Sequence, residues 1–309
     1  MSDKRVVCIG NMTHDTLLRV NDIPELDDVA YVNENVECMG GRGAIVAIAL
    51  GRLGISTDLI TSLPSNELTD KYIELLNENN VETKNIFIDD KANKLFEVVV
   101  AISKEQSNCI SFFKPSDIKF EANQKQKEKV RAADMAYFST HKRSFNQELL
   151  NEIDPQKTQI IHNVSSYFLQ SEEYVKLMLE KSSVLVFNEL EAKKLLENIR
   201  ELSAETIFKS APNLDTIFMT CGESGSMIYE KTGKVTHVEA KMATEVISPV
   251  GAGDTYAAGI VYGIANGWDN ELSARFASEI ACLSVESETS YPNLEKLDDL
   301  TLECGEMDI

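Results

Sequence analysis

From about residue 125 to residue 220 the chain alternates without a break between helical and strand-like segments, and this rhythm restricts the fold more than any other feature. Helical periodicity over Lys125–Ala132, Phe145–Ile153, Glu172–Glu180, Leu190–Asn198 and Ser203–Ser210 is interleaved with short apolar runs. Those runs are Met135–Ser139, Thr158–His162, Val184–Phe187 and Thr216–Thr220. A run such as Val-Leu-Val-Phe at 184–187 has no polar alternation, so both faces of that strand must be covered. Strands separated by helices pair in parallel, because a parallel neighbour needs a long crossover. The expectation is a mainly parallel α/β sheet with helices on both faces.

The first part of the chain reads differently. Val6–Ile9, closed by Gly10, is a buried strand, and Leu59–Thr61 followed by Glu67–Asn79 gives a further strand and helix. Gly43–Leu53 is rich in Ala, Ile and Leu and stops at Gly54, so it reads as a buried helix with a glycine at its C-terminus. Val29–Cys38, Phe96–Ile102 and Asn108–Phe113 alternate imperfectly, as expected for a small antiparallel sheet with one solvated face. No repeat or long linker interrupts the chain. The expectation is one domain over 1–309 with lid segments near 11–40 and 94–115.

Charge narrows the partners. With 30 basic and 50 acidic residues, the formal net charge of −20 repels nucleic acid and anionic lipid surfaces. It also repels a nucleotide triphosphate, so a phosphate site here needs backbone donors or a metal ion. No apolar run approaches the ~20 residues of a membrane span, and the opening MSDKRVVCIG lacks a secretory pattern, which places the protein in the cytoplasm. The six cysteines have no C-x-x-C spacing and the four histidines are dispersed, against a zinc site or a disulfide scaffold.

Chemistry concentrates at Ile247-Ser248-Pro249-Val250-Gly251-Ala252-Gly253-Asp254-Thr255, which leads into an apolar helix ending at Asn266-Gly267. Gly251 and Gly253 let backbone approach a ligand, and the helix start offers free N–H groups and the positive end of a dipole. This is an anion site that needs no lysine. Asp254 at its mouth is placed either to take a proton from a hydroxyl or simply to cap the helix.

This turn resembles the second signature, D-T-x-G-A-G-D, of the ribokinase, or PfkB, family of sugar and nucleoside kinases. Other segments resemble further landmarks of the family in the same order. They are Gly10-Asn11 with Asp15, Gly40-Gly41-Arg42-Gly43-Ala44 running to Arg52-Leu53-Gly54, Asn188-Glu189-Leu190-Glu191, and Thr220-Cys221-Gly222-Glu223-Ser224-Gly225. Taken alone, Asn188–Glu191 also reads as an ordinary helix start, Thr220–Gly225 as a hairpin turn and Asp15 as a loop acid. The resemblance covers roughly residues 5 to 295.

It implies a ribokinase-like three-layer α/β sandwich with a mainly parallel central sheet and a small β-sheet lid. It implies an ATP-dependent kinase acting on an alcohol group of a small sugar or sugar derivative; a nucleoside kinase and a non-catalytic metabolite-binding relative are the alternatives. Asp254 would be the base, with Gly251, Ala252 and Gly253 forming the anion hole. Asn188 and Glu191 would organise Mg²⁺ through water, and Thr220, Gly222 and Gly225 would line ATP. Asn11, Asp15, Gly40, Gly41 and Arg42 would hold the acceptor. A homodimer through the lid is also implied.

Departures from the pattern carry their own expectations. Ile45 stands where the first signature has Asn, which suits a less polar acceptor such as a nucleoside. Ser248 and Pro249 replace the Asp-Thr of the second signature, and Glu286-Ser287-Glu288-Thr289 replaces a glycine-bearing cation loop, so potassium activation is not expected. Phe112 and Phe113 are read either as a platform for a base or as lid packing.

Overall fold

The computed structural model describes residues 4–103, 109–114, 116–139, 142–198, 204–297 and 300; the expected starts at Asn108 and Ser203 lie outside them. The strands in chain order are β1 (Arg5–Ile9), β2 (Thr13–Val20), β3 (Val32–Gly40), β4 (Ser56–Ile60), β5 (Ser62–Pro64), β6 (Val81–Glu82), β7 (Phe87–Asp89) and β8 (Phe96–Ser103). They continue as β9 (Cys109–Lys114), β10 (Met135–Phe138), β11 (Gln159–Asn163), β12 (Val184–Asn188), β13 (Thr216–Thr220), β14 (Ser226–Glu230) and β15 (Val235–Val238). The helices are α1 (Arg42–Arg52), α2 (Glu67–Glu78), α3 (Gln124–Arg131), α4 (Arg143–Glu152), α5 (Glu172–Lys181), α6 (Glu189–Asn198), α7 (Ala204–Ser210), α8 (Ala252–Ala265) and α9 (Asn270–Val285).

Among the described residues, nine strands form one sheet in the order β15-β14-β13-β12-β11-β10-β1-β4-β6. Every pair from β6 to β13 is parallel, and β13-β14-β15 close the far edge as antiparallel hairpins. The chain builds outward from β1 to β4 and β6, then returns to lay β10 on the other side of β1. Strand order therefore reverses between β1 and β10, the place where open α/β sheets hold ligands beyond the strand ends. The central strands are sequestered on both faces: Val6–Ile9, Met135–Phe138 and Val184–Phe187 are all buried. Each large apolar side chain so covered contributes about 1.5–3 kcal/mol.

Helix α1 ends as expected of a glycine stop. Gly54 has φ +82°, its N–H donates to Gly51 O and that of Ile55 to Leu50 O, which satisfies two otherwise orphaned carbonyls. Helices α8 and α9 approach closely because Gly259 and Gly263 leave no side chain between them; a Cβ at Gly259 would lie 2.4 Å from Ala277 Cα.

The second sheet has the order β3-β2-β8-β9. It departs from the antiparallel sheet expected, because its central pair β2–β8 is parallel. The two strands are separated by α1, β4 and α2, and so long a crossover returns the chain in the same direction. β2 lies in the expected lid segment near 11–40 but does not read as a strand: Thr-His-Asp-Thr-Leu-Leu-Arg-Val mixes charge with apolar residues, yet it occupies a central position. The inner face carries its own small core of Leu17, Cys38, Val98, Val100 and Ile102, packed against Val250 and Tyr291 of the main body. β9 is exposed along its whole length, including both Phe112 and Phe113.

Candidate active site

Five strand ends line one edge of the large sheet beside the point where its order reverses. Gly10 and Asn11 follow β1, Ser139 follows β10, and β11, β12 and β13 end at Asn163, Asn188 and Thr220. Helix α1 begins against this row. Asn11 Oδ1 accepts from Arg42 N at 3.1 Å and its carbonyl accepts from Gly43 N and Ala44 N, so Asn11 caps the helix and aims Arg42 into the site.

Arg42 binds across the row. Its Nε donates to Asp254 Oδ1 at 2.9 Å, one terminal nitrogen donates to Asn163 Oδ1 at 3.0 Å, and the other donates to Val164 O at 3.3 Å. That second nitrogen also lies 3.9 Å from Glu191 Oε1. Burial opposes the charge, but Asp254 and Glu191 more than offset it, and the guanidinium is held protonated above its ordinary range. Asn163 completes the arrangement: its amide donates to Asp254 Oδ1 at 3.1 Å and to the buried Tyr137 hydroxyl at 2.8 Å.

Asp254 lies on the first turn of α8, with its side chain 12% exposed. Both donors converge on Oδ1, while Oδ2 has no hydrogen-bond partner among the described residues. Gly251 precedes the helix with φ 83° and ψ −11°, a left-handed conformation that strains any side chain. Thr255 N donates back to Gly251 O, and no side chain caps the helix. The N–H groups of Ala252, Gly253 and Asp254 are accordingly left without acceptors among the described residues, as at any uncapped helix start. Gly253 is exposed, and a Cβ there would meet nothing within 4 Å. The turn thus has both donors and empty space in front of them.

Asp15 sits in β2, buried, with one carboxylate oxygen accepting from Thr13 Oγ1 at 2.5 Å and the other from Ser290 Oγ at 2.7 Å. Burial pushes its pKa up, and these two hydroxyls oppose the shift. Gly40 makes the seat possible: a Cβ there would fall 1.9 Å from an Asp15 oxygen. Gly41, with φ 96°, has no room either, since its Cβ would lie 2.6 Å from Asn11 O.

Asn188 and Glu191 form a reciprocal cap of α6. Glu191 N donates to Asn188 Oδ1 at 2.8 Å and Asn188 N donates to Glu191 Oε2 at 3.1 Å. The helix-start reading therefore holds, and Glu191 Oε1 still faces Arg42. Burial raises the Glu191 pKa, opposed chiefly by Arg42. Thr220–Gly225 is likewise a real hairpin turn between β13 and β14, with positive φ at Gly222 and Gly225. It is tied to α8 by the Tyr256 hydroxyl, which donates to Ser226 Oγ at 2.8 Å.

The departures are structurally coherent. Ser248 is fully buried, its Oγ accepting from Val250 N at 3.2 Å, so it braces the loop that an aspartate would charge. Glu286 accepts from Thr244 N and Lys296 Nζ. Among the described residues no group of three or more His, Cys, Asp or Glu is arranged to hold a metal ion, and no helix is long and apolar enough to cross a membrane. Sequence reasoning missed Asn163 and Ser290. A single Asn at a strand end and a single Ser in a loop carry no pattern.

Comparison with known proteins gives the family and the fold. The family model described as pfkB family carbohydrate kinase matches residues 3–297. A 5-dehydro-2-deoxygluconokinase of Geobacillus thermodenitrificans is 25% identical, with 95% of this chain and 91% of that protein covered. A nucleoside kinase of Methanothermobacter thermautotrophicus is 23% identical, with 94% and 93% covered. Among solved structures, the Methanocaldococcus jannaschii nucleoside kinase superposes with a TM-score of 0.79 at 20% identity, covering 98% of this chain and 99% of that one. The Cryptococcus neoformans ribokinase in complex with ADP gives 0.81 at 17% identity, covering 97% and 100%. The fold is ribokinase-like, and the chain belongs to the pfkB family of carbohydrate kinases.

Proposed function

We propose that this chain transfers the γ-phosphoryl group of ATP to a hydroxyl of a small sugar or sugar derivative. The observation that carries the reading is the start of α8, where three N–H groups lack acceptors among the described residues beside a carboxylate whose Oδ2 has no partner among them. The acceptor hydroxyl, oriented by Asp15 and the backbone of Gly40 and Gly41, gives its proton to Asp254 Oδ2 as its oxygen bonds to phosphorus. The bond from phosphorus to the ADP oxygen breaks, and the N–H groups of Ala252, Gly253 and Asp254 hold the equatorial charge. Thr220, Gly222 and Gly225 line the nucleotide.

The donor set suits Mg²⁺, which keeps its waters and leans on substrate phosphates rather than on a protein cage. Glu191, with Asn188 behind it, would meet the ion through water, and the bound ion would neutralise phosphate charge. The chain acts in the cytoplasm, where ATP is supplied.

A nucleoside acceptor is the second reading. It is supported by Ile45, buried in the first turn of α1 where the family pattern has Asn, and by the likeness to nucleoside kinases. Incubation with ATP, Mg²⁺ and a panel of sugars and nucleosides, followed by measurement of ADP, tests both readings. Acceptor-dependent ADP release that EDTA abolishes is expected. Tight acceptor binding without ADP release from any member of the panel leaves only the non-catalytic binder.

The exposed edge of the lid sheet supports a homodimer. Phe112 and Phe113 are 57% and 69% exposed on β9, the edge strand of that sheet, and an exposed apolar edge is a template for pairing with a second chain. Sedimentation velocity is expected to show a dimer that Phe113→Asp converts to monomer; a monomeric wild type would refute the contact.

A further inference from the structure

The reaction requires that the acceptor be seated when the phosphoryl group is held, yet Asp15 lies on the lid sheet and α8 is a helix from a distant part of the chain. One residue touches both. Ser290, fully buried after α9, donates its hydroxyl to Asp15 Oδ2 at 2.7 Å. Its N–H points to Cys38 Sγ at 3.4 Å, on strand β3 of the lid sheet. Its carbonyl oxygen lies against Gly251, where a Cβ would come within 1.9 Å of it. The next residue, Tyr291, packs with Val250 against the inner lid core.

We infer that Ser290 is a positioning residue that couples acceptor binding to the phosphate-holding turn. Its hydroxyl fixes the carboxylate that orients the acceptor, and its own carbonyl fixes the residue from which α8 starts. A shift of Asp15 toward an acceptor hydroxyl pulls on Ser290 Oγ, and the short path from Oγ to the carbonyl carries the shift to Gly251. No side chain separates Gly251 from Ser290 O, so a shift of that carbonyl bears directly on the residue from which α8 starts. Thr13 binds the other oxygen of the same carboxylate but makes no hydrogen bond to α8 among the described residues, and so serves as the control.

This inference rests on the kinase reading, but its test uses binding, which needs no turnover. Inosine and ribose are titrated calorimetrically into the full chain with and without Mg²⁺ and the non-hydrolysable analogue AMP-PNP. In the wild type the analogue is expected to tighten binding of the better probe at least about fivefold, the lower end of ordinary site coupling. Ser290→Ala is expected to weaken that probe about tenfold, as for a lost hydrogen bond to a charged group, and to bring the coupling below about twofold. Thr13→Val is expected to weaken the probe similarly while keeping the coupling. Equal coupling in Ser290→Ala and wild type overturns the inference and leaves the kinase reading intact. So does an absence of coupling in the wild type, which needs no variant to fold. Binding of neither probe removes the role of Asp15 and that of Ser290 with it.

Discussion

Asp254→Asn is expected to lower kcat by about 10²–10⁴, the range of a lost general base, with the KM for ATP within about threefold of wild type. The substitution is unusually clean here. Both groups that hold the side chain, Arg42 Nε and Asn163 Nδ2, donate to the same oxygen, Oδ1. An asparagine can present its own oxygen to those donors and keep the rotamer, while its NH₂ group takes the place of Oδ2. Position is then preserved and basicity is lost. A steady-state assay with saturating acceptor reads the effect directly. An unchanged kcat would take the proton-accepting role away from Asp254, and a large rise in the KM for ATP would show that the carboxylate serves nucleotide binding instead.

The same arrangement explains why the role of Arg42 could not be read before its surroundings were known. In the sequence it is one cation following two glycines, assigned to the acceptor through the resemblance alone. In the fold Asn11 caps α1 and points the guanidinium inward, where Asp254, Asn163, Val164 and Glu191 surround it. The partners come from three separate parts of the chain, and no local pattern announces such a convergence. Local chemistry was legible where it is dictated locally. The inner strands of the large sheet, β1, β4 and β10 to β13, announced themselves because both faces are buried, and the turn at Gly251–Asp254 because a left-handed residue followed by an uncapped helix demands glycine. β2 escaped notice because half of its residues face the interior between lid and body while carrying polar groups such as Asp15 and Thr13. Those groups are buried for the sake of the site and so break the alternation by which strands are recognised. For Asn188–Glu191 the two competing readings both hold, since the cap that starts α6 is also what presents Glu191 to Arg42.

Gly253→Val separates folding from function more sharply than any other change in the turn. A Cβ at Gly251 would collide with Ser290 O at 1.9 Å and its φ of 83° would be strained as well, so substitution there damages the fold and teaches little about phosphate. At Gly253 neither objection applies: φ is not positive and a Cβ meets nothing within 4 Å. Valine is also a better helix former than glycine by a few tenths of a kcal/mol. The melting temperature is therefore expected to hold or rise slightly. Activity is expected to fall at least about 10²-fold in kcat/KM, because the branched side chain fills the space in front of the Ala252, Gly253 and Asp254 N–H groups. A phosphoryl group displaced by about 1 Å from such donors loses most of their help. A folded Gly253→Val protein with nearly wild-type turnover would mean that the empty space at this helix start is ordinary solvent, and the phosphate would have to be held elsewhere.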